Sequence, residues 1–343
     1  MGVSIDDKVS FLRTREAYDN RPPSVQVKET HMSWVFVAGD RVYKLKKPAH
    51  SPFLDFRTLR AREHNCLEEV RLNRRLAPDV YLGVVALAAD EKGQLSIGGG
   101  GQIVDWLVVM RRLPDELMLD QAILHDMIEL DGSGRLDVVA DLLIGFYSHC
   151  PPVEITPSAY VEQFAREHAI NEAVLCDPRF KLDGAEVSDV VAHVQRGIED
   201  GALLKNRVKH GRIVEGHGDL RPEHVCLSDP PVIIDCLEFS RSLRLVDPFD
   251  ELTFLTLECE LLGGGWAGRH IMERCAEGLG DKPALQLLEF YWTYRACLRA
   301  RIALAHLLEP NPRTPEKWVP LARRYLQLAK SRSAIMPALR AVP

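Results

Sequence analysis

Two carboxylates define the chemistry open to this chain. Asp219 sits in His217-Gly218-Asp219-Leu220-Arg221-Pro222-Glu223-His224, and Asp235 closes Val232-Ile233-Ile234-Asp235. Between them, apolar Val225-Cys226-Leu227 and Val232-Ile233-Ile234 flank the turn-forming Ser228-Asp229-Pro230-Pro231, a pattern that predicts a β-hairpin. Such a hairpin carries the loop at its entrance and Asp235 at its exit, folding both acids toward one place. Acids so arranged suit phosphoryl transfer. One takes the proton of a substrate hydroxyl, and the other holds the magnesium that bridges the nucleotide phosphates. The barrier falls through positioning and charge neutralisation, so both are needed. A lone His-Gly-Asp would read more simply as a turn or helix cap; the following hairpin and Ile-Ile-Asp argue for the pair.

Handling a nucleotide also calls for a phosphate-gripping lysine. Val25-Gln26-Val27, Trp34-Val35-Phe36-Val37 and Arg41-Val42-Tyr43-Lys44-Leu45-Lys46 read as a three-strand meander with a tight Gly39-Asp40 turn. Alternation puts Lys44 and Lys46 on one face, while Lys47, just before Pro48, reads as a solvated strand end. Residues 55–76 show helical spacing and offer Glu68 or Glu69 as the lysine's acidic partner. No Gly-x-Gly-x-x-Gly run lies between the first two strands. Glu29-Thr30-His31-Met32-Ser33 stands there, with Thr30 and Ser33 as the groups that could reach phosphates. Gly98-Gly99-Gly100-Gly101 reads as a hairpin tip, and the absence of any Walker A sequence excludes a P-loop fold. Residues 106–114 form an apolar strand running into a polar connector.

His217-Gly218-Asp219-Leu220, Val232-Ile233-Ile234-Asp235 and Asp247-Pro248-Phe249-Asp250-Glu251-Leu252 together resemble the aminoglycoside phosphotransferase and choline kinase branch of the protein-kinase-like fold. The resemblance is closest to a bacterial aminoglycoside phosphotransferase-like group, sometimes fused to a P-loop ATPase domain. It implies an α+β, two-lobed protein-kinase-like fold. Residues 1–113 would form a small antiparallel β-rich lobe covering the nucleotide, and 114–343 a larger, mainly helical lobe. By the same resemblance Asp219 is the catalytic base, Asp235 binds metal, Asp250 braces the catalytic loop and His217 orients it. Lys44 is favoured over Lys46 for the phosphates, and Glu69 over Glu68 as its partner. The backbone of Val109, Met110 and Arg111 would receive the adenine, with Leu227 and Ile234 also at the nucleotide. ATP and Mg2+ are the implied cofactors, with Mn2+ as an alternative metal, and a P-loop ATPase is an implied partner protein.

Two loop positions depart from the family pattern. His224 stands where an Asn would hold a second magnesium, and imidazole is a poor ligand for a hard cation. It could bind a softer metal such as manganese. It could instead bond a phosphate while Glu223 or Glu238 takes the metal, or simply hold the loop. A fourth reading makes the chain a regulator without efficient transfer. Arg221 stands where His is common; its guanidinium could neutralise the transferred phosphate or pair with a neighbouring carboxylate. Further on, Tyr291, Arg295 and Arg299 recur every four residues on one helical face. Arginines in an apolar stretch are costly to bury unpaired. They should line a substrate pocket, favouring an anionic or polyhydroxy acceptor, or pair with Glu258 or Glu260.

Composition sets the outer bounds. The 343 residues, 46% hydrophobic, can bury a large two-lobed core. Net charge of −6 with dispersed basic residues argues against nucleic acid as the main partner. Eight cysteines without C-x-x-C spacing read as reduced thiols. With no signal core and no long apolar run, the expectation is a cytoplasmic protein that does not use the membrane. The expected activity is transfer of the ATP γ-phosphate to a hydroxyl of a small molecule, such as a sugar, an amino alcohol or an aminoglycoside-like compound. The competing readings are a nucleotide-binding pseudokinase and a kinase-like enzyme that modifies a protein.

Overall fold

A computed structural model describes residues 3–51, 54–127, 134–309 and 311–331. The chain divides into two compact units, Met1–Leu117 with Val232–Leu243, and Met118–Pro231 with Arg244–Pro343. The first unit thus runs past the boundary expected at 113 and reclaims a segment from the C-terminal part. That segment is held by backbone and side-chain bonds invisible to local patterning: Ile233 N–H donates to Leu76 O, and Cys236 N–H to Asn73 Oδ1.

The first unit begins with α1 (Ile5–Leu12), capped by Ser4. β1 (Val25–Glu29), β2 (Ser33–Ala38) and β3 (Arg41–Lys46) form an antiparallel meander. Ala38 pairs directly with Arg41, so the connection is Gly39-Asp40, and Gly39 takes the positive φ (+70°) such a turn demands. Two short strands, β4 (His50–Ser51) and β5 (Leu54–Asp55), precede α2 (Leu59–Asn73), whose first turn Thr58 caps by accepting the Ala61 N–H. β6 (Tyr81–Ala89), β7 (Leu95–Ile97) and β8 (Gln102–Arg111) complete an antiparallel sheet ordered β1-β2-β3-β8-β6-β7. Phe36, Leu45, Leu87 and Leu107 bury against Val9, Leu12 and Tyr18. Buried Asp105 on β8 receives Lys8 at 2.8 Å and Arg62 at 2.7 Å, tying α1 and α2 to the sheet.

The glycine run is not a hairpin tip. β7 pairs with β6 and not with β8, so glycines 98–101 carry the chain across the end of β6. A Cβ on Gly101 would lie 2.3 Å from the Ala89 carbonyl oxygen. The tip is residues 90–93, where Asp90 Oδ1 accepts the Lys92 and Gln94 N–H groups.

The second unit opens with α3 (Leu119–Leu124), α4 (Gly134–His149), α5 (Pro157–Leu175), α6 (Gly184–Asp200) and α7 (Ala202–Lys209). Gly201, at φ +57°, separates α6 from α7. β9 (Val214–Glu215) and β10 (Val225–Cys226) follow, and the chain then passes through β11 (Val232–Ile233) of the first unit. It returns as β12 (Leu245–Val246), antiparallel to β9, and finishes as α8 (Pro248–Leu261), α9 (Gly265–Gly278), α10 (Leu285–Ala305) and α11 (Pro315–Lys330). α8 is buried on nearly every face and packs against α9 and α10. Among the described residues no helix is long and apolar enough to cross a membrane.

Candidate active site

In the first unit, β3 projects both lysines onto the face where α2 presents fully buried Glu69. Lys44 Nζ lies 2.9 Å from Glu69 Oε1 and 3.0 Å from Asp235 Oδ1. Lys46 pairs with the other Glu69 oxygen and with Glu238. Glu68 points elsewhere and pairs with Arg71 at 2.7 Å. Burial works against the Lys44 charge, but Asp235, Glu69 and Glu238 outweigh it and hold its pKa well above the ordinary lysine value. Burial likewise penalises the Glu69 carboxylate, yet Lys44 and Lys46 hold it below the ordinary glutamate value. Cation and anion are therefore both fixed at neutral pH.

Asp235 adopts φ +61°, a left-handed backbone costing a non-glycine residue about 1–2 kcal/mol. Its neighbours offset that cost. The Asp235 N–H donates to Tyr81 Oη at 3.1 Å, the Cys236 N–H to Asn73 Oδ1 at 2.8 Å, and the Ile233 N–H to Leu76 O at 3.2 Å. Asn73 lies one helical turn after Glu69, so α2 fixes both the lysine's partner and the strained carboxylate. The Asp235 side chain remains 45% exposed. An exposed carboxylate fits a magnesium ion, which takes one or two protein carboxylates and fills its sphere with phosphate oxygens and water. Among the described residues no three His, Cys, Asp or Glu side chains are grouped to hold a metal without such help.

In the second unit, the chain leaves β9 through Gly216 into the His217-Gly218-Asp219 loop. A Cβ on Gly216 would sit 2.5 Å from Glu251 Oε2, and Gly218 holds φ +89°. Buried Glu251, in the first turn of α8, accepts the N–H of His217 at 3.1 Å, the N–H of Gly218 and the Tyr147 hydroxyl at 2.9 Å. Burial raises its pKa, and these bonds restrain the rise. The buried His217 ring accepts the Asp219 N–H at Nδ1 (3.3 Å).

Beyond Asp219 the loop closes on itself. His224 Nδ1 lies 2.7 Å from the Asp219 carbonyl oxygen, and its Nε2 lies 3.2 Å from Arg221 Nη2. A carbonyl only accepts, so Nδ1 donates there, while the other ring nitrogen faces the guanidinium. Arg221 Nη2 also stands 2.9 Å from Asp219 Oδ2, and Nη1 pairs with Glu223. Burial pushes the Asp219 pKa up, but Arg221 leads the charges that bring it below the ordinary aspartate value.

Several expected roles move. His224 has both ring nitrogens engaged within the loop, as the loop-holding alternative from the sequence expects. Asp250 does not brace the loop: it takes two 2.7 Å bonds from Arg295, a buried pair joining α8 to α10. Glu251, the next residue, is the brace. Tyr291 is fully buried and donates to Asp247 at 3.0 Å, so neither it nor Arg295 faces a substrate. Arg299 pairs with Glu258 at 2.9 Å, the ion-pair alternative open from the sequence. Val109, Met110 and Arg111 lie inside the sheet, flanked by β3 on one side and β6 on the other. Their amides face ladder partners. Leu227 is buried in the second unit, and Ile234, half-buried, precedes Asp235 in the first. The Thr30 hydroxyl closes its own turn on Ser33, whose side chain is fully buried, so neither is offered to phosphate. Lys47 is not solvated but holds Glu29 at 2.6 Å and Thr30 O at 2.7 Å. Glu251, Asn73, Tyr81 and the Lys46–Glu238 pair escaped the sequence reading. Asn73, four residues after Glu69, carried the one spacing that could have flagged it.

No protein-family model matches the chain. Uncharacterised proteins of Mycobacterium tuberculosis and Mycobacterium bovis are each 33% identical over 324 residues, 92% of this chain and 62% of theirs. The chain therefore spans less than two thirds of the length of these relatives. Among solved structures, the GDP complex of aminoglycoside 2'-phosphotransferase-IIIa superposes with a TM-score of 0.53 at 14% identity, over 96% of this chain and 100% of that one. The fold is that of the aminoglycoside phosphotransferases. Spectinomycin phosphotransferase, solved with ADP and spectinomycin, gives 0.51 at 12% identity over 97% of this chain and 100% of its own. A choline/ethanolamine kinase family protein from Mesorhizobium loti gives 0.50 at 15% identity over 97% and 94%. At such identities the likeness is one of fold.

Proposed function

We propose that this chain transfers the γ-phosphate of ATP to a hydroxyl group of a small molecule. The observation that carries this reading is Lys44 held between buried Glu69 and the strained, half-exposed Asp235. Asp235 would hold Mg2+, which when bound neutralises charge on the β- and γ-phosphate oxygens. Lys44 would turn from Asp235 to the α- and β-phosphates while keeping Glu69. Asp219, ionised and held by backbone braces, would orient the acceptor hydroxyl and take its proton as the new ester forms. The nucleotides and spectinomycin bound by proteins of the same fold support a nucleotide and a small-molecule acceptor as the substrates. A P-loop ATPase partner rests on the sequence resemblance; the relatives' length beyond the match leaves room for such a domain.

The test is ADP release by the pure protein with ATP and Mg2+ or Mn2+ over sugars, amino alcohols and aminoglycosides. Acceptor-dependent release is expected. Tight ATP binding with no release on any acceptor would favour the regulator, the reading encouraged by a His224 that supplies no oxygen to a second metal.

Two variants probe the loop. Glu251→Gln keeps the shape but weakens charge-assisted bonds worth about 1.5–3 kcal/mol each, so kcat should fall roughly 10–100-fold with nucleotide affinity unchanged. A drop confined to thermal stability would reduce Glu251 to a fold determinant. Arg221→Leu removes the leading charge that opposes burial at Asp219, so its pKa rises and the acid limb of kcat moves to higher pH. A limb that stays in place would show that Arg221 does not set the ionisation of Asp219.

A further inference from the structure

The first unit holds five charges of alternating sign: Asp235, Lys44, Glu69, Lys46 and Glu238. Both lysines belong to β3, and both outer acids belong to the segment after β11. We propose that Lys46 and Glu238 are positioning residues that keep Glu69 paired and oriented while Lys44 shifts toward the nucleotide. This rests on the phosphotransferase reading above.

Lys44 is shared between Glu69 and Asp235, and gripping a phosphate turns it from Asp235 and divides its ammonium between Glu69 and the ligand. Glu69 is fully buried, and stranding a buried carboxylate costs several kcal/mol. With Lys44 as its sole cation, each nucleotide bound would incur part of that cost. Lys46 removes it by pairing its charge with the carboxylate oxygen that Lys44 does not use. Its side chain is only 1% exposed, so its charge acts inside the protein and not on a ligand. The Phe56 ring lies 5.9 Å from the ammonium, and Glu69 and Glu238 are the acids paired with it. Glu238 matches the second half of that desolvated charge. Because it lies three residues after Asp235, it also anchors the carboxylate's segment to β3.

Lys46→Met should weaken ATP·Mg2+ affinity about tenfold or more, a loss of about 1.4 kcal/mol, while kcat at saturating nucleotide changes little. Lys46→Arg, which keeps the charge, should recover part of the affinity. Lys46→Met alone also takes a cation from Glu238 and Glu69, so the double variant Lys46→Met/Glu238→Leu separates positioning from stability. Its melting temperature should recover while nucleotide affinity stays weak, since Glu69 still lacks its second cation. Recovery of both would make the pair merely structural and overturn the proposal, as would wild-type affinity in Lys46→Met. Lys44→Met, run alongside, reports on the underlying reading. Loss of nucleotide binding there, with wild-type binding intact, leaves the Lys46 variants to be judged by themselves. A wild-type protein that binds no ATP would remove both ideas together.

Discussion

Asp219→Asn is expected to lower kcat by roughly 10²–10⁴-fold, the range for a positioned general base. The substitution is clean because the loop is held through the backbone of residue 219. Its N–H donates to His217 and its carbonyl accepts from His224, and Glu251 secures the two preceding amides. None of these bonds needs the carboxylate. The variant should therefore fold and bind nucleotide normally, with Arg221 left to Glu223, yet lack a proton acceptor for the hydroxyl. Steady-state kinetics with nucleotide binding measured in parallel decides the matter. Unchanged turnover would remove Asp219 from the chemistry.

The second large effect belongs to Asp235. Asp235→Asn should weaken ATP binding in the presence of Mg2+ by at least about 10–100-fold, the range for losing even an outer-shell partner of a metal. Asn tolerates the left-handed backbone that position 235 requires, so the latch to Tyr81 and Asn73 should survive. Removing Mg2+ should therefore hurt the wild type and leave the variant nearly unaffected. Calorimetric titration with and without metal shows this directly, and equal affinity of the two proteins with Mg2+ would count against the metal role.

What the sequence made legible follows from short periods. Alternation along 41–46 placed Lys44 and Lys46 together, and the helical period over 55–76 offered Glu68 or Glu69, of which the resemblance favoured Glu69. What it left hidden depends on distant neighbours. Asp250 and Glu251 are adjacent acids whose side chains diverge by about 100° on α8. Only the positions of Arg295 and of the loop amides decide which acid serves which. Strand order is equally non-local. The sheet inserts β8 between β3 and β6, which encloses residues 109–111 in ladders and turns the glycine run into a crossing. His224 left several readings open from its position, a brace for the loop among them, and its two hydrogen bonds within the loop favour that one. The return of Val232–Leu243 to the first unit depends on Asn73 and Leu76, some 160 residues earlier in the chain.

The most direct test of phosphoryl transfer follows the phosphorus itself. Phosphorus NMR of the pure protein with ATP, Mg2+ and a hydroxyl-bearing acceptor from the panel would show where the γ-phosphate goes. A new phosphate-monoester resonance growing as ADP appears, and absent with Asp219→Asn, is the expected result. ATP that remains intact with every acceptor while bound to the protein, or that yields only inorganic phosphate, would contradict it.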